Sequence, residues 1–253
     1  MKIEEKLKEK YLYSKRLNLF KIIYFLAQYL KNTFNQRKPN SLWGVDLILN
    51  DIYKNKKKGF YIDVGCHHPI INNHTHLFYK KGWKGINIDL DFNSIDMFNF
   101  FRPRDLNIQT AISNEINDAE LFFYHNRAAK NTISKAFASG AKIIKKIKTE
   151  TLDNILSTHL KDDQKIDFLS IDVEGNELNV LKGFNIKKYK PTLIMLEYIK
   201  PNVKEFYDKN INEIQNSDIY NYMINNNYKL INWNHDDLLF IISDYNNVIN
   251  EGK

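Results

Sequence analysis

Cysteine is almost absent from this 253-residue chain, with Cys66 the single one. That excludes an intramolecular disulfide and any metal centre built from several thiolates. Glycine (9 residues) and proline (5 residues) are scarce, which excludes collagen-like, Pro-rich and Gly/Ser-linker chains. Long apolar runs are missing too. The most apolar early stretch, Leu17 to Leu30, is interrupted by Asn18, Lys21 and Gln28, whereas a bilayer-spanning helix needs about 20 apolar residues. No apolar core followed by a small-residue cleavage site opens the chain, so no secretory signal is expected. The expected location is cytoplasmic, at most peripheral to the inner face of the membrane. Neither G-x-G-x-x-G nor G-x-x-x-x-G-K-[ST] occurs, which removes the dinucleotide fingerprint and the P-loop.

Hydrophobic residues make up 43% of the chain, enough for a core of domain size. The formal net charge of +7 invites a nucleic-acid or membrane reading, but the charge is unevenly placed. Residues 1–58 carry 14 Lys/Arg and 5 Asp/Glu, a net of +9; residues 59–253 carry 23 and 25, a net of −2. The basic character therefore belongs to an N-terminal segment, and nucleic acid is not expected as a partner of the remainder. Lys, Asn and Ile are abundant throughout, as from Asn221 to Asn234, a bias that AT-rich coding sequence produces without any binding surface. Residues 3–31 lack Gly and Pro and read as one or two helices. Leu19, Ile22, Ile23, Leu26 and Leu30 fall at helical spacing. Two readings of that stripe compete: a basic amphipathic helix on an anionic membrane, or a helix that docks on the domain or mediates dimerisation. The second reading, docking or dimerisation, is favoured, since Tyr24, Phe25 and Tyr29 broaden the apolar face. Residues 35–40 read as a loop, and the chain divides into a basic helical segment, 1–58, and a second unit, 59–253.

From residue 59 short apolar runs alternate with helical ones. Strands are expected at 59–65, 85–89, 107–112, 119–124, 166–171 and 192–197, and helices at 74–81, 94–101, 151–160 and 176–182. Two polar helices fill 204–226, and residues 228–233 and 238–242 form a closing strand pair. The alternation predicts an α/β fold with a mostly parallel sheet covered on both faces. The short last connection makes the final pair an antiparallel hairpin.

Chemistry-bearing residues gather at the carboxyl ends of these strands, where open α/β sheets bind ligands. The first strand ends in Asp63, Gly65 and Cys66, with Gly65 allowing close approach of a ligand. Adjacent His67 and His68 follow; His68 is a candidate base. Asp89 closes the second strand, roughly 20–25 residues after the glycine turn, where one carboxylate can accept from both hydroxyls of a ribose. Asp89-Leu-Asp91 also matches the D-x-D pattern with which glycosyltransferases hold a metal and a sugar nucleotide. Backbone groups at Thr110 and Ala111 are placed to meet a base edge. Asp172, Glu174 and Glu177 follow the 166–171 strand; Asp172 and Glu174 can orient or deprotonate a hydroxyl or bind a metal, and Glu177 reads as a helix cap. His125 to Arg127, Asn131 and Thr132 lie in a long polar connection that can wall a site. Glu197 and the turn from Trp233 to Asp237 are placed to reach an acceptor.

Several runs occur in order: Phe60-Tyr-Ile-Asp-Val-Gly-Cys66, Phe78-Tyr-Lys-Lys-Gly-Trp-Lys-Gly-Ile-Asn-Ile-Asp89, Arg102-Pro-Arg-Asp105, Ala111-Ile-Ser113, Thr151-Leu-Asp153 and Phe168-Leu-Ser-Ile-Asp-Val-Glu-Gly-Asn-Glu177. Together, over about residues 41–243, they resemble the FkbM family of S-adenosylmethionine-dependent methyltransferases. The resemblance implies a class I methyltransferase (Rossmann-like) fold and O-methylation of a sugar or glycoside, with a role in capsule or other surface-polysaccharide biosynthesis as the expectation. By position it matches Asp63 and Gly65 to the family's cofactor loop, Asp89 to its ribose acid and Asp172 to the acid facing the reaction centre; with the strand-end reading, the expected cofactor site is Asp63, Gly65, Cys66, Asp89, Thr110, Ala111 and Asp172. Catalysis is then expected from Asp172, Glu174 and His68. The acceptor is a sugar or nucleotide-activated sugar, Mg2+ held by the acids is an alternative activator, and residues 1–40 are open to peripheral membrane contact or dimerisation. Without an N/D-P-P-Y motif, nucleic-acid methylation is disfavoured. Two alternatives stand beside this reading: a metal-dependent glycosyltransferase using Asp89-Leu-Asp91, and a non-enzymatic, membrane-associated nucleoside-binding protein. Ser41-Leu-Trp-Gly-Val-Asp46 departs from the family's S-Q-x-G-E-D at Leu42 and Val45, and Asn72-Asn-His-Thr75 holds an extra residue before the family's Thr.

Overall fold

The chain is described here by a computed structural model, which covers residues 18–34, 39–125, 128–141, 143–199 and 210–245. The parts of the expected elements within 3–17, 35–38 and 204–209, and the position of Arg127, lie outside the described residues. In chain order the first elements are α1 (Leu19–Phe34), α2 (Val45–Ile52), β1 (Phe60–Val64), α3 (His76–Lys80), β2 (Lys84–Asp89), α4 (Phe92–Phe101) and β3 (Leu106–Gln109). Then come β4 (Ala111–Ser113), β5 (Asp118–Phe123), β6 (Ile143–Thr151), α5 (Leu152–His159), β7 (Phe168–Ile171), α6 (Glu177–Lys182) and α7 (Ile186–Tyr189). The last are β8 (Leu193–Glu197), α8 (Ile211–Gln215), α9 (Asp218–Asn225), β9 (Tyr228–Asn234) and β10 (Asp237–Ile242).

The β-prone runs at β1, β7 and β8 are apolar on both faces, so they sit in the middle of a sheet covered on two sides. The seven-stranded order is β3-β2-β1-β7-β8-β10-β9. Strands β3, β2, β1, β7 and β8 are parallel, and β10 lies antiparallel between β8 and β9. This is the class I methyltransferase arrangement. Chain order runs outward to one side from β1 through β2 to β3 and to the other side from β7 to β8, so the reversal falls between β1 and β7, the place where such sheets open a ligand crevice. Register decides what stands there. Val64 is level with Ile88 and with Ile171, and Ile171 with Leu196. The next residues, Gly65, Asp89, Asp172 and Glu197, therefore emerge side by side along one sheet edge.

Alternation of side chains along the strands splits the core into two layers. Ile62, Val64, Ile86, Ile88, Leu169 and Ile171 face Leu152, Leu156, Val180 and Leu181 of α5 and α6. On the other face, Tyr61, Phe168, Leu193 and Met195 pack with Phe78, Trp83, Tyr53 and the α2 residues Val45 and Leu49. Full burial of one such side chain contributes about 1.5–3 kcal/mol. A boundary drawn after residue 58 thus cuts through one packed layer, to which α2 and Tyr53 belong.

Three elements differ from expectation. The single strand expected at 107–112 breaks at Thr110, whose N–H is held by the Asp89 carbonyl at 3.0 Å. β3 stays in the main sheet, while β4 leaves it and pairs with β6 in a three-stranded sheet of order β4-β6-β5. β6 itself gave no strand signal, because its Ile and Lys residues are mostly exposed and show no buried period. The third concerns α1. Of the expected stripe of Leu19, Ile22, Ile23, Leu26 and Leu30, all but half-buried Ile22 point outward. The helix docks instead through buried Phe25 and Lys21, Phe25 against Met97 and Phe101 of α4 and Lys21 paired with Asp96. A large aromatic surface and an ion pair whose lysine is fully buried select that face over the aliphatic one. Among the described residues, no helix is long and apolar enough to cross a membrane.

Candidate active site

A cavity of about 250 Å³ opens at the carboxyl edge of β1, β2, β7 and β8. Its lining includes Asp63, Gly65, Cys66, Asp89, Thr110, Ala111, Asp172 and Glu174, so the expected site residues converge there with one exception. His68 does not line it. Its Nδ1 accepts from the N–H groups of Ile70 and Ile71 at 3.1 and 3.0 Å, which makes it a cap for its own loop. A histidine three residues past Gly65 folds back onto the chain rather than forward into the crevice.

At the β1 end, buried Asp63 accepts from Asn73 Nδ2 at 3.0 Å and Thr75 Oγ1 at 2.8 Å. Behind them lies Arg102, fully buried, which donates to Thr75 Oγ1 at 2.7 Å, Asn73 Oδ1 at 2.6 Å and the Pro69 carbonyl at 2.9 Å. The Arg102 of the sequence motif thus supports the loop that presents Asp63. Gly65 sits at φ +81°, and a Cβ there would lie 1.6 Å from the Asp172 carbonyl oxygen. The glycine is required by the contact between the β1 and β7 turns, a different reason from the ligand approach expected for it. Burial pushes the Cys66 thiol well above its ordinary pKa, so it remains a protonated wall residue.

At the β2 end, the two oxygens of Asp89 accept from the N–H groups of His67 (2.8 Å) and Asp91 (2.7 Å). Burial raises its pKa to about 7 against those backbone bonds. Each oxygen retains a second acceptor position. Asp91 points elsewhere: its carboxylate accepts from Asn93 N–H at 2.7 Å and caps α4. Both acids of the D-x-D pattern are therefore engaged with backbone. The surrounding wall is apolar, from Ile88, Leu90, Ala111 and Ile112, and the buried Ser94 Oγ on it has no partner among the described residues.

The β7–β8 end is built differently. Asp172, Glu174 and Glu197 can bring one oxygen each within 4.8 Å of one another. Burial, then the charges of Asp172 and Glu177, push Glu174 up to about 8. Burial and the neighbouring acids raise Glu197 well above the carboxylate range, and its carboxyl hydrogen-bonds Asp172. Burial also raises Asp172, to about 6, while His74 and that bond favour its anion. His74 Nε2 stands 3.6 Å from Asp237 Oδ2. Burial opposes its charged form, but Asp237, Asp172 and Asp63 outweigh it and raise its pKa to about 9. Glu174 adopts φ +56°, and its carbonyl accepts from Thr132 Oγ1 at 2.8 Å, so the long connection does clamp this turn, with Asn131 and Ile133 as wall. Glu177 accepts from the N–H groups of Val173 and Gly175 at 3.1 and 3.0 Å, the structural role expected of it. Glu197 and the Asp236–Asp237 turn also reach the cavity.

The methyltransferase FkbM domain model matches residues 63–230 of the chain, a span containing Asp63, Gly65, Asp89, Asp172, Glu174 and Glu197 but not the 41–46 loop or the β9–β10 turn. The chain belongs to the FkbM methyltransferase family. Among solved structures, this FkbM methyltransferase is similar to a TehB-like SAM-dependent methyltransferase from Corynebacterium glutamicum, at 10% identity and a TM-score of 0.42, over 89% of this chain and 100% of that one. No curated protein matches it significantly.

Departures from the family pattern in this FkbM methyltransferase have local causes. Asp46 is buried, accepting from Ser41 Oγ at 2.8 Å and Asn40 N–H at 2.9 Å, so Ser41 and Asp46 fix the loop. Val45 enters the core, where a Glu would be unpaired. Leu42 and Trp43 line the cavity, and the Trp43 indole stacks on His235 with centroids 3.8 Å apart and planes at 11°. His74 and Trp43 are cavity-lining positions that the sequence reading did not single out. The extra residue before Thr75 is the signal that could have found His74; Trp43 occupies a position the family pattern leaves open.

Proposed function

We propose that this methyltransferase moves the methyl group of S-adenosylmethionine to a sugar hydroxyl, in the biosynthesis of capsule or other surface polysaccharide. The single observation that carries the reading is the level emergence of Gly65, Asp89 and Asp172 into one cavity. The residues present fit the cofactor. Asp89 has acceptor positions for a ribose diol, Thr110 and Ala111 lie on an apolar wall suited to adenine, and Ser94 Oγ is a buried hydroxyl awaiting a polar partner. The nearby carboxylates favour a cationic ligand. When bound, S-adenosylmethionine supplies a methyl on positively charged sulfur, which departs as a neutral thioether.

The chain's own task is to hold an acceptor oxygen in line at about 3–3.5 Å and to take its proton. Asp172 is the base: His74 and the Glu197 hydrogen bond favour its ionised form. Glu174, at about 8, is protonated at neutral pH and donates to the acceptor. The proton leaves the hydroxyl for Asp172 as the new O–C bond forms. A sugar is favoured by the exposed Trp43 face, suited to the C–H face of a pyranose, beside carboxyls that pair with hydroxyls. Among the described lining residues there is no Lys or Arg to meet a pyrophosphate, so an uncharged glycoside is preferred to a nucleotide-activated sugar. The glycosyltransferase alternative is set aside, since the family is shown and Asp91 caps α4. The Asp172–Glu174–Glu197 triad could hold Mg2+ in place of shared protons; undiminished turnover in EDTA excludes that form.

Calorimetry with S-adenosylmethionine tests the cofactor, and absence of binding would sink the whole reading. Transfer of labelled methyl to a panel of methyl hexopyranosides and UDP-hexoses tests the acceptor. Binding of the cofactor with no transfer to either class would leave a methyltransferase but remove the sugar.

A further inference from the structure

The outward face of α1 is the largest feature that the proposed chemistry leaves unused. Leu19, Ile23, Leu26 and Leu30 recur every three or four residues and are 72%, 56%, 45% and 50% exposed. They form one aliphatic stripe along a 16-residue helix, and none belongs to an apolar cluster of the described residues. The opposite face is fixed to the body of the protein by Phe25 and by the Lys21–Asp96 pair, so the stripe cannot turn inward without breaking an ion pair whose lysine is fully buried.

Charge says what covers it. Leaving aside the buried Lys21, residues 1–40 hold nine Lys/Arg against three Glu, a net of +6 in the sequence flanking the stripe. Apolar residues along one helix face within a strongly basic segment are the combination that binds an anionic lipid surface, the helix lying in the interface plane. A second copy of the chain fits less well. Two such segments would repel each other, and four half-exposed side chains fall short of the ~800 Å² per partner of a standard interface. We infer that α1 is a membrane-surface helix that holds the enzyme, through Leu19, Ile23, Leu26 and Leu30, on a bilayer rich in anionic lipid. This rests on α1 and the charge of residues 1–40, and does not depend on the methyl-transfer reading.

The test is co-sedimentation of the full chain with vesicles of phosphatidylcholine alone and of phosphatidylcholine with phosphatidylglycerol at about 3:1, at low and high salt. Binding is expected to the anionic vesicles, to weaken in high salt, and to fall about tenfold in the double variant Ile23→Glu with Leu26→Glu. Both sites are exposed, so the variant's melting temperature should match wild type; Ile144→Glu, at an exposed β6 position, is the control that keeps binding. No sedimentation with anionic vesicles, equal sedimentation with both vesicle types, or full binding by the double variant overturns the proposal. So does a solution dimer that the double variant dissociates, which would assign the stripe to a second copy.

Discussion

The two ends of the cavity solve the problem of buried charge in opposite ways. At the β1–β2 end each acid is met by fixed donors: Asp63 by Asn73 and Thr75 with Arg102 behind them, Asp89 by two backbone N–H groups. At the β7–β8 end Asp172, Glu174 and Glu197 face one another, and protons substitute for donors. The first end is prepared to hold a ligand of fixed shape. On the proposed reading, the second is where a proton is exchanged with the acceptor.

The largest expected effect would expose this contrast through stability. Arg102→Ala removes the donor to three buried acceptors and should destabilise the protein by about 3–5 kcal/mol, read as a lowered urea midpoint. Glu197→Gln, at the other end, should stay within about 1 kcal/mol of wild type, because burial and the neighbouring acids already favour the neutral form that glutamine mimics. If both variants lose the same amount, the two ends do not differ in kind.

Next comes catalysis. Asp172→Asn should lower kcat by about 10²–10⁴, the range ascribed to a positioned base, read as initial rates at saturating S-adenosylmethionine. Affinity itself should divide along the same line. Asp89→Ala should weaken S-adenosylmethionine by about 100-fold, the value of two charge-assisted hydrogen bonds, while Glu174→Gln should change it by less than about threefold.

The smallest effect is on pH dependence. Glu174, at about 8, and His74, at about 9, bind protons more tightly folded than unfolded. Their contribution is full below their unfolded pKa values and is lost as pH rises through the folded ones. His76, held by burial down at about 3, is neutral in both states above about pH 7 and adds nothing there. The melting temperature of the ligand-free protein should therefore fall from about pH 7 to 9. Glu174→Gln should flatten that slope more than Asp89→Asn, whose native value of about 7 lies at the start of the window.

Legibility follows the same division. Asp63, Gly65 and Asp89 were readable because each sits in a short apolar run ending at a strand's carboxyl edge, and the periodicity of the run places its terminus. The parallel sheet and closing hairpin were readable for that reason too. His74 was not, since its role depends on Asp237, more than 160 residues away in the chain and brought near only by the β8–β10 pairing. His68 misled because adjacency to a glycine turn does not say which way a loop folds. β6 hid because an edge strand with exposed Lys and Ile has no buried face to impose a period, and the docking face of α1 depended on a Lys21–Asp96 pairing that no local pattern announces.

The contact between the Gly65 turn and the Asp172 carbonyl has a consequence for how such an enzyme can change. On the proposed reading, methyl donor and proton acceptor are mounted on one seam, which leaves no room for a methyl group between its halves. The seam cannot be widened to suit a bulkier acceptor, nor one half shifted without the other. New specificities must be written on the surrounding walls, in the 41–44 loop, the 131–133 segment and the β9–β10 turn. Those are the segments in which chimeras between related enzymes should exchange acceptors while keeping the reaction.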